Sequence, residues 1–350
     1  MRRLAILIAL MLASGLAANR TLAVLQSHET SGAMVNTTSP QVRLPGMIYV
    51  SQEGSIYAIS GSSVRKLALP SGGDWTQPRV LADGSLLVIR RFDAYSDLYH
   101  VSAGGRVLSR MTTDDASTSN QTLQLDHWVL WPAISPDGAA VFFATDAPKP
   151  APNQSYEVDF SLWSAPLSAA FTVGDNGVNG GARWSVPDVY TGGDIEPVPL
   201  PNGGLLYASY ANTGKGTVVT VIGLQTSPNS PMRSLTTQQQ DCGAPAVAPD
   251  GVNVAMVCTN SGQTASLEVA TLEGNTLGTP RVVAPNCLCN SPSWSPSGGN
   301  LLYMNAADTN SNFGLWYVAN AGGVHPGAAR RVTDASVDLD ATSAAAWSSR

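Results

Sequence analysis

Charge is scarce in this sequence. Asp, Glu, Lys and Arg make up only 13% of the 350 residues, about half the share of an average soluble domain. Lysine is nearly missing, with Lys66, Lys149 and Lys215 set against a majority of arginines. No basic run exceeds pairs such as Arg90-Arg91 and Arg330-Arg331, and the formal net charge is −6. A nucleic-acid binder needs a basic face to displace counterions, so that class is excluded. The surface must instead be covered by Ser, Thr, Asn, Gln and Gly, as in secreted proteins. Reactive motifs are missing too. There is no nucleophile elbow, no His-Glu-x-x-His zinc motif and no phosphate loop. The histidines are four: His28, His100, His127 and His325. No cofactor is expected on this basis.

Long apolar runs are also lacking. The run from Leu4 to Ala13 follows Met1-Arg2-Arg3 and precedes the small residues Ser14, Gly15, Ala17 and Ala18. It is too short for a comfortable transmembrane helix. Its layout is that of a signal peptide, a basic start, a short apolar stretch and a small-residue cleavage site. Residues 1–18 are read as that signal, 19–45 as a polar linker and 46–350 as one folded unit. The expected location is periplasmic or extracellular. An uncleaved N-terminal anchor would be the sole route to a membrane.

What the chain does have is Gly (33), Pro (23) and a repeat. Gly and Pro at this level favour turns and short strands. Two copies of the repeat are clear, Pro132-Ala-Ile-Ser-Pro-Asp-Gly138 and Pro245-Ala-Val-Ala-Pro-Asp-Gly251. Pro292-Ser-Trp-Ser-Pro-Ser-Gly298 is a third, and the copies starting at Pro78 and Pro197 are weaker. Pro-Asp-Gly supplies a fixed φ, a side chain that bonds its own backbone and a residue free to take positive φ, which predicts a tight hairpin. The runs after the turn, such as Leu86-Leu-Val-Ile89 and Leu301-Leu-Tyr303, are continuously apolar, as in strands buried on both faces. Third strands at Leu98–Val101, Leu162-Trp163, Leu267–Ala270 and Leu315–Val318 are expected to alternate. The copies are spaced like four-stranded propeller blades.

The chain ends complete this pattern. Ala345-Ala-Trp-Ser-Ser349 matches Pro292-Ser-Trp-Ser-Pro296, and Met47-Ile-Tyr-Val50 reads as a second strand without a first. The C-terminus is therefore expected to supply the innermost strand of the N-terminal blade, which removes an exposed edge. The Pro-x-x-Ser-Pro-Asp-Gly turn, the apolar strand after it and the stretch Asp97 to Thr112 resemble the TolB-type, WD40-like propeller repeat. The resemblance spans about residues 46–350. It implies an all-β, six-bladed β-propeller of four-stranded blades, its ring closed by the C-terminal strand, in an exported protein that docks partners. The 19–45 segment is too short for the extra N-terminal domain of TolB, so that protein's partner is not carried over.

In such a ring, the loops leading into first strands and out of second strands share one face. They bring together Trp75, Arg90, Arg91, Asp93, Asp126, His127, Trp128, Asp194, Glu196 and Asp340. Acidic groups and indoles at one mouth suit a cationic peptide segment or a sugar; turn chemistry and packing explain the same residues without a ligand. The longest insertion, Asp146 to Ser161 with Tyr156, leaves the same face and is the expected partner-contact loop. Asp308-x-Asn310-x-Asn312 resembles the start of a calcium loop but has Phe313 at the place of the required Gly, so a plain turn is expected.

Cys242 and Cys258 flank Asp250 at equal distance, which suits a bridge across the first two strands. Cys287 and Cys289 either pair with each other or send one sulfur to the fifth blade, and a four-thiolate zinc cluster lacks the usual spacing. The reading is a non-enzymatic scaffold contacting an envelope or extracellular protein, peptide or glycan at the channel mouth. The rival is a metal-dependent hydrolase or lactonase using Asp194, Glu196 and Asp340.

Overall fold

A computed structural model of the chain describes residues 44–113, 126–148, 158–174, 176–260, 262 and 264–349. The stretch expected to be a signal (1–18), residues 19–43 of the stretch expected to be a linker, Tyr156 and most of the Asp146–Ser161 insertion lie outside these residues. The described residues form strands and turns with no α-helix.

Six sheets follow one another along the chain. Sheet I contains Met47–Gln52, Ser55–Ser60 and Ser63–Lys66. Sheet II contains Asp74–Val80, Leu86–Arg91, Ser96–Val101 and Val107–Arg110. Sheet III contains Val129–Ile134, Ala140–Thr145, Ser161–Pro166 and Ala182–Arg183. Sheet IV contains Asp194–Pro199, Leu205–Asn212, Val218–Gln225 and Arg233–Ser234. In sheet V, Cys242–Val247, Asn253–Cys258 and Ser266–Glu273 are followed by Thr276–Leu277 and Arg281–Ala284, both paired with the third strand. Sheet VI contains Leu288–Trp294, Leu301–Ala306, Gly314–Val318 and Arg330–Arg331. Apart from these, a small seventh sheet joins Thr112–Thr113 to the hairpin Phe171–Gly174 and Gly177–Val178. The C-terminal strand Ala346–Ser348 pairs antiparallel with Met47–Gln52, so sheet I gains its missing first strand from the far end of the sequence.

The repeat turn performs as its chemistry dictates. In all five internal copies the Gly donates to the carbonyl three residues earlier, as in Gly138 N–H to Ser135 O at 2.8 Å and Gly203 N–H to Leu200 O at 3.0 Å. Each of these glycines has positive φ, +72° at Gly138. A Cβ there would meet nothing within 4 Å, so conformation alone requires glycine. The Asp or Asn before it caps the turn: Asp137 Oδ1 accepts from Ala139 N–H and Asp250 Oδ1 from Val252 N–H.

The apolar strands are buried on both faces because each belongs to two cores. Leu86 and Val88 pack toward sheet I, whereas Leu87 and Ile89 pack toward sheet III. Phe142 and Ala144 meet Leu205 and Tyr207 of sheet IV. Leu206 meets Val254 and Met256 of sheet V, and Ala255 meets Leu301 and Tyr303 of sheet VI. Leu302 and Met304 of sheet VI meet Ile48, Val50 and Trp347 of sheet I. The third strands differ from the expected alternation. Ser96–Val101 is buried at five of its six residues, since neighbouring sheets cover both its sides.

The Asp97–Thr112 stretch is a structural lock. Buried Asp97 accepts from Arg110 Nη2 at 2.5 Å and Thr112 Oγ1 at 2.9 Å, while Thr112 Oγ1 accepts from Leu98 N–H. Hydroxyls of Ser185, Thr236 and Thr333 accept from third-strand N–H groups of sheets III, IV and VI in the same way. The Cys242 and Cys258 sulfurs are bonded, joining residues directly opposite each other in sheet V. Cys287 and Cys289 are bonded to each other.

Candidate functional site

The first strands share an irregularity. In sheets II to VI the residue before the repeat proline adopts left-handed φ, at Gln77, Trp131, Glu196, Ala244 and Ser291. Each sits where the ladder shifts register, so the residue–proline pair forms a bulge. Positive φ is uncommon outside glycine, and five equivalent cases mark a designed feature. The bulge frees an N–H, and a neighbouring sheet often takes it up. Ser343 Oγ accepts from Gln77 N–H at 2.9 Å, and Gln77 Oε1 accepts from Trp131 N–H at 2.6 Å. The Glu196 carboxylate accepts from Ala244 N–H. Ser291 Oγ donates to Ala341 O at 2.8 Å, linking sheet VI to the segment before the closing strand.

Two bulge-flanking side chains carry charge. Arg79 follows the proline of sheet II and reaches toward sheet I, its Nη1 donating to Pro78 O at 2.9 Å and Ala344 O at 3.5 Å. Glu196 projects from sheet IV. Each lowers the energy of the other's charge although sheet III lies between them. Burial pushes the Glu196 carboxyl up to about 7, against the Ala244 hydrogen bond and the Arg79 charge. Burial also lowers Arg79 to about 10, where it stays charged at neutral pH. Both side chains are half-buried. Glu196 favours folding most below its unfolded value of 4.5, and that contribution is lost as pH rises through about 7. Burial, followed by the charges of Glu196 and Asp241, raises neighbouring Tyr210 to about 12.

The other residues expected from sequence fall into separate groups. Trp75 is buried, its Nε1 donating to Pro70 O at 2.8 Å and its ring meeting Tyr99 edge-on. Arg90 lies over Trp75 and Phe92, both at 4.9 Å, and donates to Gly72 O and Ser71 O. Arg91 pairs with Asp74 at 3.3 Å on the surface, and Asp93 is exposed. Asp126 and His127 are buried, with His127 Nδ1 3.3 Å from Asp146 Oδ1, which also accepts from Trp128 N–H. Buried Asp194 hydrogen-bonds the side chains of Ser209 and Ser185, and burial raises its carboxyl above the usual range. Asp340 accepts from Thr76 Oγ1 at 2.6 Å and Thr342 Oγ1 at 2.7 Å. Asp194, Glu196 and Asp340 thus have separate partners, and no three His, Cys, Asp or Glu side chains converge to hold a metal ion among the described residues. Asp308 forms a plain turn, its Oδ1 accepting from Asn310 N–H.

A further feature escaped the sequence reading. The Asp159 carboxylate accepts from three successive backbone N–H groups, Tyr190 at 2.7 Å, Thr191 at 2.9 Å and Gly192 at 2.7 Å. This cradle fixes the loop between sheets III and IV, with Tyr190 held left-handed. The loop presents Val186 at 73%, Val189 at 67% and Tyr190 at 71% exposure. Its apolar tip stands beside the root of the Asp146–Ser161 insertion, where Phe160 bridges Gly193.

Neither a family model nor a curated protein matches the sequence. Solved structures do match. TolB from Acinetobacter baumannii superposes with a TM-score of 0.60 at 17% identity, over 89% of this chain and 68% of that one. A putative TolB from Agrobacterium tumefaciens gives 0.54 at 14% identity, over 84% and 92% of the respective chains. Likeness at this level of identity speaks for architecture, and with the radial cores and shared repeat it shows that the chain has a TolB-like propeller fold.

Proposed function

We propose that this chain is an exported, non-enzymatic binding propeller. Its six successive sheets, five of four strands and sheet V of five, act as six blades closed into a ring by the pairing of Ala346–Ser348 with Met47–Gln52, with the seventh sheet a local appendage between blades II and III. The face bearing the loops into first strands is the binding face, and a protein or peptide of the envelope or extracellular space is the partner. The observation that carries this reading is the apolar tip at Val186, Val189 and Tyr190, which Asp159 holds rigid while leaving it exposed. Contiguous exposed apolar groups mark interaction surfaces more often than isolated ones do. A preorganised loop also binds with less ordering cost. Trp75, Arg90, His127 and Asp340 serve this face as framework, since their side chains are engaged within the protein. The Cys242–Cys258 bond suits an oxidising compartment.

The test is capture of partners from an envelope extract by the intact protein and by a Val186→Ser, Val189→Ser, Tyr190→Ser triple variant. Loss of a captured protein with unchanged melting supports the reading. Equal capture by both proteins overturns it. Metal analysis addresses the hydrolase alternative: one tightly held divalent ion per chain, with loss of hydrolysis on its removal, would replace the scaffold reading.

A further inference from the structure

The two disulfides of this chain differ in span and in access. Cys242 and Cys258 are separated by 16 positions and are fully buried. Cys287 and Cys289 are separated by 2, with only Leu288 between them. Their exposures are 5% and 7%, and the exposed Pro285 and Asn286 come directly before them. A crosslink restrains the unfolded chain more as the loop it closes grows longer. The short bond therefore adds little to stability, and its opening removes little.

The backbone holds this segment independently of the sulfurs. Cys287 N–H donates to Ala265 O at 2.8 Å, which ties the segment to sheet V. Leu288 pairs with Ala306 and Cys289 with Asn305 in the ladder of sheet VI. Both cysteines belong to the core shared by sheets V and VI. None of these contacts requires the sulfurs to be bonded, so the reduced thiols stay side by side.

Each sulfur also has an acceptor at hand. Ala284 O lies 3.5 Å from Cys287 Sγ. Asn305 stands directly opposite Cys289, and its buried Oδ1 has no hydrogen-bond partner among the described residues. Opposite residues of a ladder project from one face with Cβ atoms about 5 Å apart, which brings this amide within reach of Cys289 Sγ. A disulfide has no proton to give, whereas a thiol has one. A buried acceptor left unpaired is costly, so the reduced pair gains a contact that the oxidised pair lacks.

We propose that Cys287–Cys289 is a reversible thiol–disulfide exchange site for a small thiol of the glutathione kind, with Asn305 as the acceptor for reduced Cys289 and the fold kept in both states. The attacking thiolate bonds to one cysteine sulfur and expels the other as a thiolate. A second small thiol attacks the resulting mixed disulfide, frees the first cysteine and leaves as the oxidised dimer. Two electrons and two protons thus pass from two small thiols to the protein pair, and oxidation runs the same steps backwards. The site lies between sheets V and VI, whereas the apolar tip lies between III and IV.

The intact protein is equilibrated in glutathione buffers of stepped reduced-to-oxidised ratio, quenched with acid, alkylated and read by peptide mass spectrometry. Cys287 and Cys289 should become alkylatable at a ratio about ten-fold lower than Cys242 and Cys258 require, with the melting curve nearly unchanged. Asn305→Leu removes the acceptor and should raise the ratio needed by the first pair about three-fold, leaving the second pair unaffected. Reduction of both bonds together, or of the first only as the protein unfolds, overturns the proposal. An unchanged ratio in Asn305→Leu overturns the role given to that residue. Should that variant not fold, the Cys242→Ala, Cys258→Ala protein decides the matter. It must gain and lose two thiols reversibly while folded, and a pair that stays oxidised until unfolding refutes the site.

Discussion

The two ends of the sheets are built by different rules. At the turn end, the same hairpin is made five times, with one glycine conformation and one carbonyl acceptor position. At the loop end, each sheet solves its connection separately: an Asp159 cradle between III and IV, a buried His127–Asp146 pair at III, a disulfide at V and a Thr76–Asp340 bond between II and I. Repetition serves the scaffold, which needs one solution that works many times. Individuality at the other end is what a recognition surface requires, because a partner must be offered something that does not recur.

That contrast can be broken experimentally. Trp347→Ala should have the largest effect, about 3–5 kcal/mol, because the ring fills the core shared by sheets I and VI and its Nε1 ties down Pro45 O. Denaturant unfolding measures it, and a loss under about 1 kcal/mol would mean that the joint between the chain ends matters little. At the loop end of sheet V, Cys242→Ser should cost about 2–4 kcal/mol. It should also release one thiol, at Cys258, in the denatured protein; an unchanged thiol titre would refute the pairing. Gly138→Ala probes the turn end and should cost about 1–2 kcal/mol through its backbone conformation alone, since space is open around it. Comparable losses at Gly84 and Gly203 would confirm that the turns are interchangeable. Val189→Ser should change stability by less than about 0.5 kcal/mol while weakening partner capture. A stability loss there as large as at Gly138 would erase the distinction between the ends.

The turn end was legible in the sequence because its rules are local. Pro-Asp-Gly fixes three consecutive conformations without help from the rest of the chain, and Leu86–Ile89 or Leu301–Tyr303 announce two-sided burial by composition. The match between Ala345–Ser349 and Pro292–Pro296 even foretold a pairing between chain ends. The loop end was legible only as residue types. The sequence put Trp75 and Arg90 on one face, and only the fold reveals that Arg90 lies over Trp75 and that both bond to residues 70–72. Asp159 gave no signal, since a carboxylate that gathers three N–H groups from residues 190–192 depends on a turn some thirty positions away. Arg79 is the one charged residue after the leading proline of the repeat, where the other internal copies carry Ala133, Val198, Ala246 and Ser293.

The joint between Ala346–Ser348 and Met47–Gln52 also governs when the protein can exist. Trp347 and Pro45 touch across 302 positions of sequence, so no growing or partly delivered polypeptide can complete sheet I. Assembly of that sheet must wait for residues 346–348. Contacts between such distant segments make folding slow, and a chain interrupted before Ala346 leaves the Met47–Gln52 edge bare for a second molecule to occupy.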